Sequence, residues 1–170
     1  VADLDSETVD SLEAGMKGFT GNLGYELTAF VMRKRNFIFR DANGFNISDG
    51  KTRHLGLESQ LNWQVTDALS FNANLSWAQH EYDFDRDLGR GELILKGNQI
   101  DTAPPWLGGL RLQWQKTQGR AFEAEWVYQG GYYLDAANTH RYPGHSLLNL
   151  RGWTVLADGR HQVSLRLTNV

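Results

Sequence analysis

The chain contains no cysteine. That excludes a disulfide framework and any thiolate-held metal. It has no run of about 18 apolar residues, so no transmembrane helix is expected. It has no basic stretch leading into an apolar one at its start, so no signal peptide is expected. An exported chain would have lost its leader, or these residues are internal to a longer protein. Positive charge is not in excess: 17 Lys and Arg stand against 20 Asp and Glu, for a net charge of -3. A nucleic-acid binder would show a basic stripe, so nucleic acid is not an expected partner. Enzyme signatures are missing too. There is no Gly-x-Ser-x-Gly, no His-Glu-x-x-His and no phosphate-cradling loop. Glu123 and Glu125 fall on one strand face about 7 Å apart, and paired carboxylates can hydrolyse glycosides. They belong, however, to a row of polar residues, so no enzyme and no cofactor is expected.

What is present is alternation. The average residue is polar, with mean hydropathy -0.49, yet aromatics make up 12% and include six Trp. Apolar and polar residues alternate in stretch after stretch, which means strands with two unlike faces. Leu55, Leu57, Leu61, Trp63 and Val65 alternate with Gly56, Glu58, Gln60, Asn62 and Gln64. After the turn Thr66-Asp67-Ala68, Leu69, Phe71, Ala73, Leu75 and Trp77 alternate with Ser70, Asn72, Asn74 and Ser76. This pair reads as a hairpin. The same pattern recurs around Leu12–Lys17, Tyr25–Met32, Leu110–Gln115, Phe122–Gln129 and Val163–Thr168, with a less clear strand over Ser146–Val155. That makes eight strands and no helix.

The connections alternate in length. Short ones lie near Gly21–Gly24, Thr66–Ala68, Lys116–Arg120 and Ala157–Arg160; longer or more polar ones lie at Arg40–Arg53, His80–Pro105 and Gly131–His145. Short turns at one end and long loops at the other are the topology of an outer-membrane barrel. Tyr25, Trp63, Trp114 and Trp153 lie near short turns, whereas Trp77, Trp106 and Tyr128 lie toward the long loops. Two such groups suit the aromatic girdles at the two membrane–water boundaries. The polar faces carry Glu58, Asn62, Arg111, Glu123, Glu125 and Arg166. Burying these in a dry core would be costly, and an aqueous lumen removes that cost. The expected fold class is therefore all-β, an antiparallel up-and-down transmembrane β-barrel segment of about eight strands.

Several segments, in this order, resemble a known family. Ser11-Leu12-Glu13-Ala14-Gly15-Met16-Lys17-Gly18 resembles the strand opening the C-terminal half of many TonB-dependent receptors. Lys51-Thr52-Arg53-His54-Leu55-Gly56-Leu57-Glu58 resembles their recurrent Gly-x-Glu strand. Ala103-Pro104-Pro105-Trp106 is similar to their proline-marked return from an outer loop. Tyr132-Tyr133-Leu134-Asp135, Asn138-Thr139, Tyr142-Pro143-Gly144 and the closing Leu165-Arg166-Leu167-Thr168-Asn169-Val170 resemble the family as well. The resemblance implies a 22-stranded barrel in the outer membrane of a Gram-negative bacterium, with an N-terminal plug. It implies uptake of a metal chelate (a siderophore, haem or cobalamin), energised by the inner-membrane TonB complex through that plug. Outer-membrane lipid would surround the wall. Residues 1–170 would then be the C-terminal part of such a barrel, with the plug domain and the final strands absent from it.

Two loops hold the candidate ligand-binding residues. Loop His80–Pro105 offers His80 and Tyr82, and loop Gly131–His145 offers Tyr132, Tyr133, His140, Arg141 and Tyr142. Aromatic rings and cations can grip an anionic chelate, and imidazole can ligate iron. Asp83-x-Asp85-x-Asp87 resembles the start of a calcium loop. Leu88 then stands where a turn glycine belongs and Ile94 where the closing glutamate belongs, so a solvated acidic loop is expected. Arg40, Arg53 and His54 cluster in sequence, but Arg53 and His54 point to opposite faces. His54 is expected to face the lumen. Two other architectures fit the alternation: a complete eight-stranded barrel serving as adhesin, anchor or lipid-modifying enzyme, and a soluble β-sandwich used for binding.

Overall fold

The computed structural model describes residues 4–41, 43–89, 91–117 and 119–170. Ala42, Arg90 and Gln118, which fall in three of the expected connections, lie outside the described residues. Ten strands form: β1 (Thr8–Thr20), β2 (Leu23–Arg40), β3 (Asn46–Thr66), β4 (Leu69–Tyr82), β5 (Arg86–Gly89), β6 (Glu92–Ile94), β7 (Trp106–Thr117), β8 (Arg120–Tyr133), β9 (Arg141–Val155) and β10 (Gln162–Leu167). Eight of them make one antiparallel sheet in the order β1-β2-β3-β4-β7-β8-β9-β10, and β5 pairs with β6 apart from it. Every strand of the main sheet neighbours the one before it in the chain, apart from the excursion through β5 and β6.

Register carries the alternation across the whole sheet. Leu12 opposes Val31, Val31 opposes Leu55, Leu57 opposes Trp77, Phe71 opposes Leu112, Leu110 opposes Trp126 and Trp126 opposes Leu148. Because side chains alternate with a period of two, these residues share one face. The other face carries Glu58, Asn62, Asn72, Arg111, Gln113, Glu123, Glu125 and Arg151. There Glu125 accepts hydrogen bonds from Arg111 and Asn149, and Gln113 donates to Glu123.

The apolar face is not covered by a second layer. Leu57, Leu112 and Trp126 are 45%, 39% and 37% exposed. The buried apolar residues among those described are Ala78, Tyr82, Ile94, Ala121 and Ala136, none of them a large side chain at the middle of a main-sheet strand. A β-sandwich would bury the apolar stripe in a dry core, so this architecture is excluded. The sheet is also open. β1 and β10 form its two edges, do not pair with each other, and are exposed along almost their whole length. A closed eight-stranded barrel is therefore not formed by these strands.

Four expectations need correction. The connection expected at Arg40–Arg53 is only residues 41–45, because β3 begins at Asn46. The segment was hidden because it carries polar residues on both faces and a register shift. The connection after β9 is longer than expected, residues 156–161, so the short–long alternation is clean only in the middle of the chain. The long excursion 83–105 is not structureless, since Gly89 and Gly91, with φ of 79° and 86°, turn β5 into β6. Finally, Trp153 is not a girdle residue. It opposes Ala121 and sits under the Arg151 guanidinium at 5.2 Å, on the polar face. The other aromatic placements hold their face: Trp77 directly opposes Trp106, with ring centroids 6.2 Å apart.

Candidate functional site

β2 and β3 contain 18 and 21 residues, about twice the 9–11 needed to cross a bilayer. Their upper halves, with the ends of β4, β8 and β9, rise beyond the apolar band and carry a mouth. Two register shifts on the β2–β3 pair set what faces into it, one between Arg35 and Phe37 and one between Phe37 and Phe39. Arg35 opposes Lys51, but Phe37 opposes Gly50, so Asn36 is an extra residue on β2. Its φ of 56° marks the bulge. Such a bulge re-aims the side chains that follow. Odd-numbered residues of β2 lie on the apolar face below it; above it Phe37 turns to the side of Thr52 and Tyr82. Gly50 makes room, since a Cβ there would come within 2.8 Å of the Phe37 carbonyl oxygen and 3.1 Å of both the Phe37 and Phe39 rings.

The rings form one cluster. Phe37 stacks on Phe39 at 6.3 Å, Phe39 meets Phe84 at 5.1 Å, and Tyr82 lies 6.5 Å from Phe37 and 5.9 Å from Phe84. Tyr82 is only 5% exposed and donates its hydroxyl to Asp101 at 2.6 Å. Burial first, and then the Asp101 carboxylate, push the Tyr82 hydroxyl up. It stays a protonated donor at any physiological pH. The β5–β6 hairpin closes one side through Leu88 and Ile94, the latter 1% exposed. Phe37, Phe39, Tyr82, Leu88 and Ile94, together with Arg40, Asp41, Glu92, Asp101 and Ala136, line an open pocket of about 630 Å³. Its wall combines flat apolar rings, one guanidinium and three carboxylates, those of Asp41, Glu92 and Asp101.

The outer segments are tied to the strands and to each other. Residues 97–105 run back along β4, with Tyr82 N–H donating to Asn98, Gly97 N–H to Tyr82, Ile100 N–H to His80 and Ala78 N–H to Pro105. The Asn138 side chain accepts from Gln99 N–H at 2.7 Å and donates to the Gln99 carbonyl at 2.8 Å. Asn98 donates to the Ala136 carbonyl at 2.9 Å. The connection 134–140 is itself held by Asp135, whose carboxylate accepts from Thr139 N–H, the Thr139 hydroxyl and His140 N–H. Those donors hold the Asp135 carboxyl below its ordinary range, the Thr139 backbone bond being the largest cause.

Of the expected ligand-binding residues, Tyr82 lines this pocket. His80 lies on β4, not in a loop, and its Nδ1 pairs with Nδ1 of His54 at 2.8 Å. His54 also meets the Thr52 hydroxyl at 2.9 Å, so it has hydrogen-bonded neighbours on the polar face. Tyr132 and Tyr133 end β8, and Arg141 and Tyr142 begin β9. Tyr132 packs on Tyr142 at 5.2 Å, and the Tyr142 hydroxyl meets His145 at 2.9 Å. His140 is exposed beside Asp135. These residues are not brought into the pocket with Tyr82. The acidic run is internally satisfied: Asp83 pairs with Lys96, Asp85 accepts from Lys96 N–H, and Asp87 accepts from Gly89 N–H. The bond from Lys96 holds the Asp83 carboxyl below its ordinary range. Sequence reasoning missed Phe37 and Phe39, and it read Glu92 and Asp101 as part of a solvated acidic loop rather than as pocket residues. The signal for the first two was there in Asn36-Phe37-Ile38-Phe39, a residue tolerant of positive φ followed by alternating rings.

A family model described as TonB dependent receptor-like, beta-barrel matches residues 1–170. No curated protein matches the chain. Among solved structures it is similar to the siderophore receptor PiuA from Acinetobacter baumannii, with 21% identity and a TM-score of 0.75, over 94% of this chain and 23% of that one. It is similar to the ferric yersiniabactin uptake receptor FyuA from Yersinia pestis, with 17% identity and a TM-score of 0.77, over 96% and 25%. It is also similar to the copper transporter OprC, with 15% identity and a TM-score of 0.71, over 99% and 26%. The chain thus spans about a quarter of the length of these proteins. The open all-antiparallel sheet, the bare apolar face and the family match over the full length agree: this chain belongs to the TonB-dependent receptor-like β-barrel family.

Proposed function

We propose that this chain is part of the wall and mouth of an outer-membrane uptake receptor of a Gram-negative bacterium, and that its mouth captures a metal chelate. The pocket under the β5–β6 hairpin carries this reading. It is of the size that holds small ligands. Its rings offer stacking surfaces, Arg40 together with Asp41 and Glu92 offers charged contacts to a chelate, and Tyr82 and Asp101 offer fixed polar contacts. The similar structures support the cargo class, since they are a siderophore receptor, a ferric yersiniabactin uptake receptor and a copper transporter. A ferric siderophore is the reading we favour within that class. Strands outside this chain would close the barrel to 22, and a plug would couple it to the inner-membrane TonB complex. The eight strands here would act passively in that cycle, as wall and as capture surface.

The test is to replace residues 85–95 by a short Gly-Ser linker in the full-length receptor. The variant is refolded in detergent, and binding of ferric siderophores is followed by tryptophan quenching. Affinity should fall at least tenfold while the heat-modifiable migration of the folded barrel is kept. Unchanged affinity for every chelate that the parent binds would reject the pocket as the capture site.

A further inference from the structure

Two histidines face each other across β3 and β4. His54 directly opposes His80 on the polar face, and Met32 of β2 directly opposes His54. Met32, His54 and His80 therefore form one row across three strands. The two Nδ1 atoms are 2.8 Å apart and the ring centroids 5.0 Å apart. At that separation at most one proton lies between the nitrogens, so one of them presents a bare lone pair to the other. Nε2 of His54 lies 2.9 Å from the Thr52 hydroxyl. With its proton there, donated to the Thr52 oxygen, His54 turns a bare Nδ1 toward His80. A ring fixed through one nitrogen while the other stays free is how metal-binding histidines are oriented.

The neighbouring rows enclose the pair. The row below is Phe30, Gly56 and Ala78, and the Phe30 ring lies over Gly56, where a Cβ would come within 2.5 Å of it. The row above is Lys34, Thr52 and Tyr82, the last two buried. The Lys34 ammonium is paired with Glu7 at 2.8 Å. Among the described residues no three His, Asp or Glu side chains gather to hold a metal, so the donor beside the two imidazoles is the Met32 thioether.

The spacing chooses between metals. With metal–imidazole bonds of about 2.0 Å, two nitrogens at a right angle stand about 2.8 Å apart, and two at the tetrahedral angle stand about 3.3 Å apart. The separation found here is the right-angle one. Right-angled nitrogen ligands belong to square-planar or tetragonal copper(II) and nickel(II), of which copper(II) binds more tightly, and copper accepts a long axial thioether bond.

We infer that His54 and His80 hold a bare copper(II) ion on the polar face of the wall, with Met32 as axial donor and water completing the square. His80 then releases its Nδ1 proton and takes one from water at Nε2, so both rings stay neutral and turn their lone pairs to the ion. Neither histidine lines the chelate pocket, so this is a second, separate site. The inference needs the polar face to meet water. It does not depend on the identity of the cargo.

The test uses the full-length receptor, without a histidine tag and stripped with chelator, in neutral detergent. Copper(II) chloride is titrated against glycine as competitor, and the bound ion is read by electron paramagnetic resonance. The parent should take up one copper at this site, with hyperfine splitting from two nitrogens. His54→Gln and His80→Gln should each weaken it at least a hundredfold, because loss of an outer partner alone costs about ten- to a hundredfold. Thr52→Val should fall in that smaller range, and His161→Gln should bind as the parent does. Heat-modifiable migration checks that each variant is folded. Undiminished copper affinity in both histidine variants would overturn the site. So would a parent spectrum without two-nitrogen coupling, a result that needs no variant to fold. Ferric siderophore binding is measured on the same samples. Its absence in the parent would sink the uptake reading and leave the copper site standing.

Discussion

Leu110 is the most direct place to ask what solvates the apolar face. It stands midway on β7 between Trp106 and Trp114, four residues from each. At the strand rise and a barrel tilt that is roughly 9 Å from either ring level. Its neighbours across the strands are Ala73 and Trp126, and it is 39% exposed. If hydrocarbon fills the space beyond it, Leu110→Arg places a charge near the bilayer midplane. The cost should be about 2–4 kcal/mol, or roughly thirtyfold to several hundredfold in the folding equilibrium. Leu112→Arg, two residues from Trp114, should cost about 1 kcal/mol or less, because the penalty falls toward the interfaces. Gln60→Arg, on the polar face opposite Glu26, should cost almost nothing. The assay is reversible guanidinium unfolding of the full-length receptor folded into phosphatidylcholine vesicles, read by tryptophan emission. The gradient matters more than any single value. Equal costs for Leu110→Arg and Gln60→Arg would refute the assignment of the two faces.

Two further outcomes follow from the mouth. Gly50→Val should push Phe37 and Phe39 out of place, because even a Cβ at Gly50 would contact the Phe37 carbonyl oxygen at 2.8 Å. Chelate affinity should drop at least fivefold with the unfolding midpoint of the wall unchanged, and undiminished affinity would show that the rings do not serve the pocket. Asp135 supplies a pH test. Its carboxyl is lowered in the folded state, so its stabilisation of the 134–140 connection is present above the ordinary carboxylate range and is lost as pH falls through the lowered value. Protection of the Thr139 and His140 amides against hydrogen exchange, taken relative to the intrinsic rate at each pH, should be held above the ordinary carboxylate range and be lost as pH falls through the lowered value, and Asp135→Asn should abolish that dependence.

The parts of the fold legible in the sequence were those where the two faces meet unlike surroundings. Leu55 to Trp63 and Leu69 to Trp77 alternate because one side is apolar and the other wet. Above that band the contrast disappears. Asn46–Arg53, Tyr132–Tyr133 and Arg141–Tyr142 continue strands with polar residues on both sides, so they read as loops. The β5–β6 hairpin, of four and three residues, is too short to show a period. Tyr82 was singled out for its chemistry. Its partners were not, because Phe37 arrives through a one-residue offset and Asp101 through a segment that folds back along β4. Trp153 was misread because nearness to a turn says nothing about parity.

The extra residue at Asn36 separates two jobs along a single hairpin. Below it, every substitution is judged by whether the molecule stays anchored; above it, by what the entrance can grip. A second shift, between Phe37 and Phe39, follows at once, so the change of phase is complete within a few residues, and insertions or deletions beyond it leave the register below untouched. A lineage could thus change its preferred cargo while inheriting its footing intact.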